Sequence, residues 1–196
     1  AFDATTGAFV WAFDMGRPTD HRAPGPGEQY TRGTPNSWAP MSADPELGLV
    51  YAPTGVATPD LYGTHRRPFD ERYANSVVAL DADTGDVRWS FRTTHHDVWD
   101  YDVASQPTLV DLPASGGLLR ALVQPTKRGE IFLLDRTTGR PLSTVEERPA
   151  PQTGKAPGER LSPTQPFSVA MPSFRGPDLR ERDMWGITPI DQMLCR

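Results

Sequence analysis

Cysteine is nearly absent from this chain: Cys195 is the only one in 196 residues. That excludes an internal disulfide and any zinc site built on paired thiolates. Lysine is almost as scarce, since only Lys127 and Lys155 occur and arginine supplies the other positive charges. The charges are interspersed and sum to −5, so no basic face points to nucleic acid and no polybasic run to a membrane surface. No apolar stretch approaches the ~20 residues needed to span a bilayer. Glycine-rich phosphate loops, a dinucleotide fingerprint and a Gly-x-Ser-x-Gly elbow are missing as well, which leaves nicotinamide or nucleotide chemistry unsupported. An amphipathic helical pattern is also lacking.

What the chain has instead is turns. It contains 21 prolines and 17 glycines, a composition that favours many short turns over long helices. Three segments, 1–7, 79–85 and 133–139, resemble one another and close with Asp-x-x-Thr-Gly, which starts at Asp3, Asp81 and Asp135. The ending suits a tight hairpin turn, with Asp bonding the local backbone and Gly taking positive φ. Tryptophan follows the first two copies at the same offset, as Trp11 and Trp89, where the third has Ser143. Strands are expected at 9–13, 47–53, 76–80, 87–91, 108–112, 119–124 and 130–134, with 14–35 and 141–182 as loops. Such repeats suggest stacked β-units that cannot bury their faces alone. Their uneven spacing fits four-stranded blades carrying inserted loops, so an all-β propeller segment is the expected architecture. A β-sandwich with hairpins is the competing one. The chain opens on Ala1-Phe2-Asp3-Ala4, already inside a repeat, and is read as a fragment.

The densest chemistry lies in His95-His96-Asp97-Val98-Trp99-Asp100-Tyr101-Asp102. Asp100 is the best general-base candidate, with Trp99 and Tyr101 expected to shield it and His95 and His96 to orient it. The bland alternative is that Asp97, Asp100 and Asp102 cap a turn. His95, His96, Asp100 and Asp102 also offer mixed nitrogen and oxygen metal ligands, although adjacent strand residues face opposite ways and two such histidines do not easily share one ion. Lys127 sits in Thr126-Lys127-Arg128-Gly129 between strands; it is suited to a polar cofactor group or is merely exposed. Trp38, among small residues and prolines, offers a flat ring to a ligand or belongs to the core.

The Asp-x-x-Thr-Gly-x-x-x-Trp repeats together with His-His-Asp-Val-Trp-Asp-Tyr-Asp resemble the quinoprotein dehydrogenases, eight-bladed propellers that bind pyrroloquinoline quinone (PQQ). Among them the chain looks most like the membrane-bound glucose dehydrogenase group. Supporting stretches are Pro35–Pro40, Thr58-Pro59-Asp60, Gln106–Leu109, Gly129–Arg136, Pro163–Phe167, Met184-Trp185-Gly186 and Asp191–Arg196. The similarity runs end to end over 1–196. It covers a middle portion of the family's catalytic domain, about three to four blades.

The resemblance implies Asp100 as the catalytic base, Lys127 on the quinone oxygens and Trp38 as the floor under the quinone ring. Thr58 falls on a metal-contacting position, where threonine rather than asparagine favours the sugar-oxidising branch. Calcium or magnesium is the implied metal. The Asp100-x-Asp102 pattern also fits lanthanide-using relatives, though glucose-type enzymes carry an acid there too. The implied reaction is oxidation of glucose to gluconolactone, Asp100 taking the hydroxyl proton, with electrons passed to ubiquinone. A quinate or other polyol dehydrogenase is the rival within the family, and a cofactor-free scaffold fragment the rival outside it. A periplasmic catalytic domain tethered to the inner membrane in the full-length parent follows from the resemblance alone.

Overall fold

A computed structural model describes residues 1–178 and 180–195. The first sheet is a meander of four antiparallel strands, β1 (Ser42–Asp44), β2 (Leu49–Pro53), β3 (Ser76–Asp81) and β4 (Val87–Arg92). The second contains β5 (Thr108–Ala114), β6 (Gly117–Pro125) and β7 (Ile131–Asp135). Residues 141–142 add a remnant of a fourth strand to it, through a bridge from Pro141 to Leu134 and a bond from Leu142 N to Leu133 O. A two-stranded ladder follows, β8 (Val145–Pro149) with β9 (Thr164–Ser168). The order of chain and space coincides throughout, as expected for blades made one after another.

Strand β3 shows why these sheets stack. Its residues from Ser76 to Leu80 are buried, and successive side chains point to opposite faces. Val77 and Ala79 join Leu49 and Tyr51 against Leu122, Phe132 and Leu134 of the second sheet. Val78 and Leu80 face the other way, onto Met15, Tyr73, Trp11 and Phe13. A strand covered on both faces reads as a continuous apolar run, which explains its Val-Val-Ala-Leu core. Arg136, just past β7, locks the sheets together: it is buried and pairs with Asp44 on β1 and Asp111 on β5.

The three repeats form the same turn. Asp3, Asp81 and Asp135 each accept two backbone N–H bonds through Oδ1, from the residues two and three places on. Their carbonyls accept from Gly7, Gly85 and Gly139, whose φ values are 70°, 81° and 73°. The tryptophan of one repeat then docks on the turn of the next. Trp11 donates to Ala82 O and lies over Gly85, while Trp89 donates to Arg136 O and lies over Gly139.

Several expectations need correction. Residues 10–13 form no ladder; the isolated Phe2–Phe9 bridge and the bonds Val10 N to Ala1 O and Ala12 N to His21 O are their regular contacts. The expected loop 141–182 contains β8 and β9, whose Glu-Glu-Arg and Gln-Pro composition masks them. Two short helices were not legible by periodicity. The first, α1 (Pro68–Tyr73), starts on proline and is capped by Asp70 bonding back to Arg67 N; α2 (Pro189–Cys195) has the Thr188–Asp191 capping box. At about two turns each they are too short for an apolar stripe. No helix among the described residues is long and apolar enough to cross a membrane.

Candidate active site

Segment 95–102 leaves β4 and turns sharply on Asp97. This carboxylate is buried and accepts from Asn75 Nδ2 and from the backbone N–H groups of Trp99 and Tyr101. Burial pushes its pKa above the usual carboxylate range, and those hydrogen bonds only partly offset the effect. For Asp97 the turn-capping alternative is therefore correct. The turn leaves Asp100 at φ 62°, a conformation that costs a non-glycine residue about 1 kcal/mol. Strain of this kind persists only where surrounding contacts fix it.

Those contacts come from Lys127. Its Nζ donates to Asp100 O at 2.9 Å and Asp100 Oδ2 at 3.2 Å, and reaches Asp102 Oδ2 at 3.4 Å. Burial draws the ammonium down, but the two carboxylates outweigh it and hold its pKa above the ordinary lysine value. Lys127 is positioned by the tight turn 126–129, closed by Gly129 N to Thr126 O at the mouth of the β6–β7 hairpin. Trp38 donates its Nε1–H to Asp102 Oδ2 at 3.0 Å, and Lys127 Nζ lies 5.7 Å from its ring centroid. Trp38 as a residue remains 56% exposed. Asp100, Lys127 and Trp38, chosen from three separate stretches of sequence, thus meet in one place.

The histidines do not meet there. His95 Nε2 pairs with Glu147 on β8, and buried His96 lies between Glu71 of α1 and Glu159. Neither orients Asp100, and the mixed histidine–carboxylate metal reading fails with them. Among the described residues no group of three or more His, Cys, Asp or Glu side chains is arranged to hold a metal ion. The aromatic shield is likewise corrected. Trp99 and Tyr101 lean on each other, with centroids 6.1 Å apart, and the Asp100 side chain is 47% exposed. Both rings line a neighbouring cavity of about 560 Å3 together with Lys127, Arg128 and Phe167. Thr58 is exposed on the 56–60 loop. That loop is tied to the site at both ends: Val56 N donates to Asp102, and Arg66 bonds Asp97 O, Pro59 O and Asp60 O.

Sequence reasoning missed the role of Asp102 as the hub of this cluster and missed Gly55 beside it, where an added methyl would lie 2.6 Å from Asp102 Oδ1. The Asp100-x-Asp102 spacing marks Asp102 as a residue of interest but not as an acceptor for Trp38 and Val56, and no spacing marks Gly55.

The donor set suits a flat, anionic, carbonyl-bearing cofactor. An open indole face is available for stacking, an ammonium for carbonyl or carboxylate oxygens, and a half-exposed carboxylate for proton transfer beside them. Over residues 1–196 the chain matches the family model described as PQQ: Glucose/ethanol/alcohol dehydrogenase, beta-propeller domain. It belongs to this family. The chain is 54% identical, over its full length and 26% of the relative's, to the glycerol dehydrogenase large subunit of Gluconobacter oxydans (strain 621H). It is 47% identical to the quinoprotein glucose dehydrogenase of Escherichia coli (strain K12), again over all of this chain and 24% of that one. Identity to the quinate/shikimate dehydrogenase (quinone) of Acinetobacter baylyi is 46%, with the same coverage of 100% and 24%. The chain therefore spans about a quarter of the length of these curated relatives. The fold also resembles that of the quinohemoprotein alcohol dehydrogenase from Comamonas testosteroni, with a TM-score of 0.55 at 24% identity over 87% of this chain and 27% of that one. The architecture is that of a PQQ β-propeller domain.

Proposed function

We propose that this chain is a middle segment of a larger protein, and that the whole protein oxidises a polyhydroxylated alcohol, either an aldose such as glucose or an open-chain polyol, with PQQ as its cofactor. The observation that carries the reading is the Lys127 ammonium held between Asp100 and Asp102 beside the open Trp38 ring. PQQ, when bound, is the two-electron acceptor; the protein supplies position and field. Trp38 and Lys127 would hold it, and Thr58 would contribute to a Ca2+ or Mg2+ site beside it. Asp100 acts as base and takes the hydroxyl proton of the substrate. With its side chain half exposed and Lys127 alongside, it is accessible to a substrate hydroxyl.

A glucose specificity is supported by threonine at position 58 and by the resemblance of the chain to glucose-oxidising relatives. A polyol reading has its own support, because identity is 54% to a glycerol dehydrogenase subunit against 47% to a glucose dehydrogenase. Quinate oxidation follows close behind at 46%. Electron transfer to ubiquinone and a periplasmic, inner-membrane-attached location complete the proposal, on the strength of the family resemblance.

Two experiments test it. The whole protein, loaded with PQQ and Ca2+ or Mg2+, is assayed side by side on glucose, glycerol and quinate; turnover of none of them refutes the substrate class. Asp100→Asn is expected to retain the quinone, seen in its absorption spectrum, while turnover falls by about 10²–10⁴-fold, the range for loss of a general base. Near-normal turnover in that variant would remove Asp100 from the mechanism.

A further inference from the structure

Asp102 is more deeply placed than Lys127 or Asp100. Its side chain is 13% exposed, against 31% for Lys127 and 47% for Asp100. Three donors from three different segments converge on its carboxylate: Val56 N at 2.7 Å on Oδ1, then Trp38 Nε1 at 3.0 Å and Lys127 Nζ at 3.4 Å on Oδ2. The seat is built around it. Thr54 O accepts from Val103 N, and Gly55 is held by Asn36 O on its N–H and Asn75 N on its carbonyl. Gly55 has no room for a side chain because Asp102 occupies that space.

We propose that Asp102 is a positioning residue: it fixes the indole plane of Trp38 and the ammonium of Lys127 relative to one another, so that ring and cation present a preformed cradle to the cofactor. This rests on the cofactor reading above. The physical argument is one of preorganisation. An exposed indole and a flexible lysine would otherwise each lose rotamer freedom on binding, at about 0.5–1.5 kcal/mol per immobilised side chain. A shared, largely desolvated carboxylate meets that cost in the folded protein before any ligand arrives. The backbone bond from Val56 keeps the carboxylate from swinging out towards Lys127, and so makes it a fixed reference.

The test is PQQ titration of the cofactor-free whole protein, followed by quenching of tryptophan fluorescence. Asp102→Asn keeps the shape and an acceptor for Val56 N–H but loses the anionic oxygen facing Trp38 and Lys127. It is expected to bind PQQ at least about tenfold more weakly, with Asp100 untouched. If Asp102 acts through its partners, the loss shrinks to about threefold or less when Lys127→Met is already present, as a double-mutant cycle between coupled residues requires. A purely structural role would give the same fold-loss in both backgrounds. Gly55→Ala supplies a second route, since it displaces the carboxylate while retaining it, and is expected to weaken PQQ binding in the same direction even if the asparagine variant does not fold. The inference is overturned by Asp102→Asn binding within about twofold of wild type, or by equal losses with and without Lys127. Wild-type protein that takes up no PQQ at all is a different result, and it overturns the cofactor reading together with the inference.

Discussion

At the scale of single residues, His96 shows how chemistry-bearing side chains become structural. Both ring nitrogens face carboxylates, Nδ1 toward Glu71 Oε1 at 2.7 Å and Nε2 toward Glu159 Oε1 at 3.1 Å. A carboxylate only accepts, so with both acids ionised both nitrogens must donate. Burial pushes the two glutamates up, but bonding to His96 outweighs it and both sit below the usual range. The clasp ties α1 to the loop before β9, with Glu159 also accepting from Gly63 N. Replacing His96 with Gln takes the partner from buried Glu159, whereas Glu71 keeps Arg92 and Arg160, so a loss of about 3–5 kcal/mol at pH 7 is expected by chemical denaturation of the whole protein. The sign of the pH dependence follows from the lowered glutamates. Their contribution is complete above the unfolded value of about 4.3 and disappears as pH falls through the lower folded values. The gap between wild type and His96→Gln should therefore close in acid. A gap that stays constant down to the acid transition would rule the clasp out.

At the scale of elements, the repeated turn and the docked tryptophan set the blade-to-blade joint. Gly139 has φ 73° and its missing Cβ would lie 2.5 Å from the Trp89 ring. Gly7 has nearly the same φ, 70°, but nothing within 4 Å of that position. Gly139→Ala should thus cost about 2–4 kcal/mol, combining left-handed strain with overpacking, whereas Gly7→Ala should cost only about 1–2 kcal/mol. Thermal unfolding of the two variants checks the difference, and equal costs would show that tryptophan docking contributes nothing. Much of this level was legible in the sequence, because the turn is encoded locally by Asp, Thr and Gly. Strands β2 to β7 were legible for the related reason that they are apolar and bounded by turn residues. β8 and β9 were not, since the polar run Glu146-Glu147-Arg148 is half solvated and only its pairing with residues 164–168 makes it a strand.

For the whole molecule, the decisive fact is that the chain spans about a quarter of its relatives. The described residues form one four-stranded sheet, one of three strands and one ladder of two. The Phe2–Phe9 bridge region leaves the apolar side chains of Phe2, Phe9 and Val10 exposed. A propeller buries such faces between neighbouring blades and leaves few free edges. The 196-residue segment produced alone is therefore expected to bind PQQ at least about a hundredfold more weakly than the whole protein and to show no dehydrogenase turnover. Titration and assay of the two side by side settle it; turnover by the segment alone would mean that the site is complete within it.

The sequence by itself determined the β architecture, the three repeated turns and the identity of the residues worth watching, because turn chemistry and strand periodicity are local properties. It also pointed to Asp100, Lys127 and Trp38 as members of one site through a family resemblance. Only the tertiary structure decided what their neighbours do. His95 and His96 adjoin Asp100 in the chain, yet they pair with glutamates of β8, α1 and the loop before β9. Asp102, two places on, becomes the hub for Val56, Trp38 and Lys127. Hydrogen-bond partners brought together by blade packing are set by distance in space, and nothing in the spacing of residues along the chain carries that information.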